Sequence, residues 1–298
     1  MERLRPGLVL AERYRLIGHV ASGGMGQVWE GFDDVLERRV ALKVMHPHTR
    51  DEFALAERFR AEARFAAQVE HPNIVSVHDY VEHEGLSCLV MEFVDGPTLA
   101  GLLSRGPLGV EQTRLLMYDM ASALVVAHEA EIIHRDIKPA NVLLPDTGAK
   151  LTDFGIARSV GSFSQTLTGQ VLGTAHYLSP EQALGQEPST ATDVYGLGVL
   201  AYEMLTGEKP FSRATPIATA LAHVQDPPPP FPEGTPAELV SLISDCLAKE
   251  PEERPSAAFI VDLLDPNGAS LPEVAEPVAD MPEPTMAMAV VPRRAMPG

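Results

Sequence analysis

Runs of β-type residues at 14–17, 27–32 and 39–44 alternate with Gly-rich and charged turns, the pattern of an antiparallel meander. Over residues 52–69 the spacing changes to a helical one, with Phe53, Ala56, Phe59, Ala63 and Ala66 on one face. Two further strand-like runs follow, 76–80 and 86–93. From residue 98 the pattern is helical: a short amphipathic piece at 98–103, then 109–130 carrying Leu115, Leu116, Met120, Leu124 and Ala127, and last helices through 236–264. Residues 226–230, Asp followed by four prolines, read as a rigid connector. A mostly β first third and a mostly α remainder predict an α+β fold of two unequal lobes, a small antiparallel-sheet lobe with one main helix (14–93) and a larger, mainly helical lobe (97–264). Residues 1–13 read as an N-terminal extension. Beyond 265 Pro, Glu, Ala and Met are scattered without period, so 265–298 is predicted to be a disordered tail.

Composition narrows the partners. At 298 residues, 45% hydrophobic and 21% charged, the chain has the balance of a soluble globular protein with proper cores. A formal net charge of −18 excludes nucleic acid as an expected partner, since phosphate backbones are bound by clustered Lys and Arg. Cys88 and Cys246 stand far apart without metal-ligand spacing and read as reduced core thiols. The N-terminus lacks the apolar run of a secretion signal, and no stretch of about 18 apolar residues occurs, so no membrane span is expected in the residues given. A cytoplasmic location follows as the expectation.

The densest chemistry lies in His134-Arg135-Asp136-Ile137-Lys138-Pro139-Ala140-Asn141, with Asp153-Phe154-Gly155 twelve residues later. Moving a γ-phosphoryl group asks a protein to position an acceptor hydroxyl, hold metal ions on the phosphates and neutralise charge. Asp136 suits the proton acceptor, Asn141 and Asp153 the Mg²⁺ ligands, and Lys138 the cation beside the transferring group. An Asp-Phe-Gly tripeptide alone is usually an ordinary turn; its place in an ordered set is what gives it meaning.

With these motifs the chain resembles a eukaryotic-type (Hanks-type) protein kinase, and their wording is similar to the bacterial serine/threonine kinases of the actinobacterial PknA/PknB type. The likeness runs from about residue 13 to 264. It implies a bilobal fold with ATP in the cleft and Mg²⁺ or Mn²⁺ as the metal. It assigns the loop Val20, Ala21, Ser22, Gly23, Gly24, Met25, Gly26 and Val28 to covering the phosphates. Ala21 departs from the family pattern, which has glycine there. Lys43 is implied to pair with the α and β phosphates and with a helix glutamate, Glu62, with Glu57 as the poorer fit. Ala41, the gatekeeper Met91, the backbones of Glu92 and Val94, and Leu143 are implied to frame the adenine.

Residues 153–181 then correspond to an activation loop. Thr166 and Thr168 resemble the family's activating pair, within a cluster that includes Ser162 and Ser164, and a phosphate there is implied to pair with Arg135. Residues 173–181 resemble the peptide-docking wall, where Ser179 replaces the usual alanine; Thr174 together with Lys138 points to serine and threonine acceptors. Glu181 is implied to pair with Arg254. Asp193 reads as a helix cap and, by resemblance, as a brace under the His134-Arg135 backbone, two readings that can be true together. Protein substrates, autophosphorylation, a role in signal transduction and a homodimer through the small lobe are further implications. Family members often carry a linker and a membrane span after the kinase domain, so the chain is either a cytosolic form or a truncated one at the cytoplasmic face of a membrane. Two other functions remain open in principle: a pseudokinase scaffold, whose mark would be loss of Lys43, Asp136, Asn141 or Asp153, and a small-metabolite kinase, which lacks such a docking wall.

Overall fold

The computed structural model of the chain describes residues 4–23, 26–45, 60, 68–154 and 174–266. Six strands, β1 (Val9–Leu10), β2 (Tyr14–Gly23), β3 (Gly26–Asp33), β4 (Arg38–Met45), β5 (Val77–His83) and β6 (Leu86–Glu92), form one sheet in the order β1-β2-β3-β4-β6-β5, with every pair antiparallel. The period of two along β4 separates its side chains onto two faces. Val40, Leu42 and Val44 join Leu10, Tyr14, Leu16, Trp29, Cys88 and Val90 in the small lobe's core. Ala41 and Met45 lie with Val75, Leu89, Met91, Val94 and Leu143 on the other side. Lys43 alternates with the core residues, so it leaves that core by the pleat alone.

Within the extension 1–13, Val9 and Leu10 pair with Arg15 and Tyr14, and Leu8 and Leu10 are buried with the sheet's core. Two residues are too short a strand to stand out from sequence. The helix expected at 52–69 lies outside the described residues except for Arg60, which is helical, and for residues 68–69. Of the expected tail only Asp265 and Pro266 are described.

The large lobe contains, among the described residues, α1 (Leu99–Leu103), α2 (Val110–Glu129), α3 (Pro180–Ala183), α4 (Thr190–Thr206), α5 (Pro216–Gln225), α6 (Ala237–Cys246) and α7 (Ala257–Leu264), with a small ribbon of β7 (Val142–Leu143) and β8 (Lys150–Leu151). Thr98 caps α1 by accepting from Gly101 N, and Ser256 caps α7 by accepting from Phe259 N. The stretch expected to be helical from 236 to 264 is two helices broken at Pro251, where a 3₁₀ turn takes over.

Nearly every residue of α4 from Thr192 to Leu205 is buried, which makes it the axis of the lobe. Two of its glycines permit close approach. A Cβ on Gly196 would lie 2.9 Å from Ile137 Cβ, and one on Gly198 would lie 2.7 Å from Cys246 Cβ. Gly196 therefore lets the loop that carries Asp136 settle directly on α4.

Candidate active site

The loop 134–138 has no regular secondary structure and Arg135 sits at φ +65°, a left-handed conformation that costs an L-residue roughly 1–3 kcal/mol. Asp193 holds it there. Its Oδ2 accepts from His134 N (2.8 Å) and its Oδ1 from Arg135 N (2.7 Å), while His128 Nε2 lies 2.8 Å from Oδ2. The Asp193 side chain has no exposure to solvent. Ser189 stands at the N-cap of α4, and Asp193 lies in the first turn of the same helix.

His134 fastens the loop to the strand behind it. Its Nδ1 accepts from Asp136 N (3.3 Å), and its Nε2 donates to the Thr152 carbonyl (3.0 Å), an arrangement that puts the ring proton on Nε2. Its ring also packs against Phe154, centroids 4.6 Å apart. Thr152 N in turn donates to Asn141 O (3.0 Å). Asp136 and Asp153, seventeen positions apart, are thereby tied to one scaffold.

The candidate side chains form two contact groups. Asp136 Oδ2 accepts from Lys138 Nζ at 2.6 Å and from Asn141 Nδ2 at 3.2 Å. Asn141 Nδ2 also donates to the Asp136 carbonyl at 2.9 Å. Asp153, at φ +60°, places Oδ1 2.9 Å from Lys43 Nζ, so a strand of the small lobe and a loop of the large one meet at one ion pair. Asn141 Nδ2 thus makes both of its bonds to Asp136, and its Oδ1 is an oxygen of the kind a divalent cation takes. One amide oxygen and one carboxylate fit Mg²⁺, which keeps several waters and takes its remaining ligands from substrate phosphates. Among the described residues no cluster of three or more His, Cys, Asp or Glu offers an all-protein metal cage, in keeping with that mode.

Ala41, Met91, Val94 and Leu143 come together in one apolar cluster on the cleft side of the sheet. Glu92 N donates to Ser76 O (2.8 Å), and its side chain pairs with Lys150 Nζ (2.9 Å). Any adenine contact from Glu92 is thus confined to its carbonyl. Val20, Ala21, Ser22, Gly23, Gly26 and Val28 lie on the β2–β3 hairpin, where Ala21 pairs with Val28 in extended strand. A Cβ on Gly26 would fall 2.2 Å from the Val44 carbonyl, so only glycine fits. Gly24, Met25, Glu57, Glu62, Ser162, Ser164, Thr166 and Thr168 lie outside the described residues, and of Thr174 only the backbone is described, at the start of a 3₁₀ turn, Thr174–Tyr177.

Below the cleft, Glu181 and Arg254 form a buried bidentate pair, with NH1 to Oε1 and NH2 to Oε2 both at 2.9 Å. Arg254 also donates to the carbonyls of Ala191, Ala248 and Lys249, each at 2.9 Å, and Thr192 Oγ1 donates to Glu181 Oε1 at 2.7 Å. Burial alone would raise the Glu181 carboxyl; the Arg254 and Thr192 bonds outweigh it and hold it below the usual carboxylate range. Gln182, part of a capping box with Ser179, donates to the Arg135 carbonyl (3.0 Å) and so joins this wall to the loop. Arg135 Nε is buried and has no hydrogen-bond partner among the described residues.

Several functional contacts had no signal in sequence: His128 on Asp193, Gln182 on Arg135, Lys150 on Glu92, and Tyr177 OH on Glu203 at 2.6 Å. Each joins residues at least 26 positions apart, and ordinary residue types on helices and strands do not announce such partners.

Two unequal lobes with a lysine, two carboxylates and an amide gathered at their junction define a phosphotransferase class. A protein kinase domain model matches residues 14–263. The chain is 46% identical over 257 residues to the serine/threonine-protein kinase PknA of Mycobacterium tuberculosis, covering 84% of this chain and 60% of that protein. It is 41% identical over 248 residues to PknA of Corynebacterium glutamicum (81% and 53%), and 41% identical over 283 residues to PknB of Mycobacterium leprae (91% and 46%). The chain therefore belongs to the protein kinase family. It spans about three-fifths or less of the length of these relatives. No helix among the described residues is long and apolar enough to cross a membrane.

The buried Glu181–Arg254 pair yields a stability prediction. Arg254→Met should cost roughly 3–5 kcal/mol in urea unfolding at pH 7, because it orphans a buried carboxylate. The Glu181 carboxyl is depressed in the fold, so its contribution is fully present above the ordinary pKa of 4.5 and is lost as pH falls through the lower folded value. Wild-type stability should accordingly decline below pH 4.5.

Proposed function

We propose that this chain transfers the γ-phosphoryl group of ATP to serine and threonine hydroxyls of proteins. The observation that carries the reading is two contact groups, Lys43 with Asp153 at 2.9 Å and Asp136 with Lys138 and Asn141 at 2.6 and 3.2 Å, joined through the His134–Thr152 and Thr152–Asn141 hydrogen bonds. Asp136 takes the proton of the acceptor hydroxyl, and Lys138, already 2.6 Å from its carboxylate, supplies positive charge beside the transferring group. Lys43 holds the α and β phosphates, and Glu62, which lies outside the described residues, is assigned as its partner by the family resemblance alone. A divalent cation on Asn141 Oδ1 and Asp153, Mg²⁺ or Mn²⁺, neutralises phosphate charge when bound. The apolar cluster of Ala41, Met91, Val94 and Leu143 receives the adenine, and the β2–β3 hairpin closes over the phosphates.

Serine/threonine acceptors are supported by the names of the similar kinases and by Lys138 and Thr174. The buried and unpartnered Nε of Arg135 supports activation by a phosphate on Thr166 or Thr168, which would give it an anion. A small-lobe homodimer is supported by the exposed Val35 (66%) and Leu36 (55%) beside the Arg13–Asp33 ion pair of 2.7 Å. Signal transduction at the cytoplasm, or at the cytoplasmic face of a membrane, is the setting consistent with two buried free thiols and a strongly acidic chain.

Incubation with labelled ATP, Mg²⁺ and a generic basic protein, followed by phosphoamino-acid analysis, should yield phosphoserine and phosphothreonine. Asp136→Asn should bind nucleotide as the parent does while losing roughly two or more orders of magnitude in turnover; a fully active variant would remove Asp136 from its role. Prior incubation with ATP should raise wild-type activity, and a Thr166→Ala/Thr168→Ala double variant should lose that rise. Full activity of the double variant would end the regulatory assignment.

A further inference from the structure

Lys249 is a half-buried cation that takes no part in phosphoryl transfer, yet both of its polar ends are engaged. Its Nζ donates to the His223 carbonyl at 2.7 Å. That carbonyl belongs to the last turn of α5, and its usual helical donor would be residue 227, which is proline and has no N–H. Lys249 therefore provides a donor that the helix itself lacks, and puts a positive charge at the negative end of the helix dipole. The ammonium lies 4.2 Å from the Phe211 ring centroid and 5.9 Å from that of Tyr195. The backbone carbonyl of Lys249 accepts from Arg254 NH2, the same nitrogen that binds Glu181 Oε2.

These contacts lead to the docking wall. Helix α5 packs against α3, which carries Glu181, and against the turn Thr174–Tyr177. His223 is fully buried, with Nδ1 3.0 Å from Tyr195 OH and its ring 4.7 Å from Phe211, and it lies against the backbone of His176 in that turn. We propose that Lys249 is a positioning residue for protein-substrate docking: by closing the C-terminal end of α5 it fixes the helix on which the wall rests. The inference rests on the kinase reading above and adds to it a residue remote from ATP.

The charge is poised for test by pH. Burial lowers Lys249 to about 8, opposed by Asp226 at the end of α5 and reinforced by Arg254. Asp226 is itself paired with Arg213 at 2.5 Å. Burial pushes His223 down to about 3 and the Tyr195 hydroxyl up, so neither changes charge between pH 7 and 9.5. Raising pH through 8 neutralises Lys249, which removes the ionic part of the carbonyl bond and the attraction to the rings. Fold stability should not fall on that account, because a folded pKa below the usual lysine value makes the group's contribution rise with pH between about 8 and 10.5. Docking and stability are thus expected to diverge.

The test is steady-state kinetics on the full chain with ATP and a generic basic protein as acceptor. Lys249→Met should raise KM for the acceptor about tenfold, with KM for ATP and kcat at saturating acceptor within about twofold, and Lys249→Arg should restore the parent value. From pH 7 to 9.5 the acceptor KM of the wild type should climb with a midpoint near 8 while that of Lys249→Arg, which does not titrate there, stays flat. An unchanged acceptor KM in Lys249→Met, or a parallel loss in ATP KM and kcat, overturns the proposal. If Lys249→Met fails to fold, the pH arm decides alone, and coincident wild-type and Lys249→Arg profiles overturn it. A wild type that phosphorylates no protein sinks the kinase reading and this proposal together, whereas an active wild type with an indifferent Lys249→Met sinks only the docking role.

Discussion

One buried carboxylate organises the large lobe. Asp193 accepts from His134 N and Arg135 N, with His128 Nε2 also 2.8 Å away. A carboxylate removed from water is tolerated only when its oxygens are well supplied with donors. The two backbone donors become available only if the chain bends at Arg135, whose φ of +65° is otherwise disfavoured. The hydrogen bonds so formed offset both the burial of the charge and the strain in the loop. The Cβ-free surface at Gly196 lets Ile137 lie close to the helix that bears Asp193.

From that anchor the rest of the cleft is built outward. His134 ties the loop to Thr152, Thr152 ties it to Asn141, and Asp153 reaches Lys43 on β4. The small lobe's contribution comes from the alternation along β4: Val40, Leu42 and Val44 lock into the core, and Lys43 is free to leave it. Below, the Glu181–Arg254 pair and Gln182 connect the docking wall to the same loop. The 134–138 loop, the Lys43–Asp153 pair and the Glu181–Arg254 pair are thus joined through one hydrogen-bonded network.

Much of this was legible in the chain. The sheet lobe followed by helices could be read because strands and helices leave different apolar periods, and residues 134–141 and 153 stood out because that chemistry needs those residue types at close spacing. Strand β1 was silent because it is two residues long and is stabilised by pairing with Arg15 and Tyr14 rather than by any period of its own. Asp193 also read as a cap because it lies early in a helix, and only the structure shows that Ser189 takes the N-cap position. Lys150 with Glu92 and Tyr177 with Glu203 were silent for another reason: each residue is ordinary where it stands and acquires its role from a partner far along the chain.

The most direct measurement is kcat, KM for ATP and thermal midpoint for Asp193→Asn. Asparagine keeps the size and one acceptor oxygen but turns the other position into a donor, facing the backbone N–H groups that the carboxylate held. A folded variant with nucleotide affinity within about threefold of the parent and kcat reduced by about tenfold or more is expected, since a loss of only 1.4 kcal/mol in positioning suffices. A folded Asp193→Asn protein with the parent's kcat would contradict the dependence of the catalytic loop on this carboxylate.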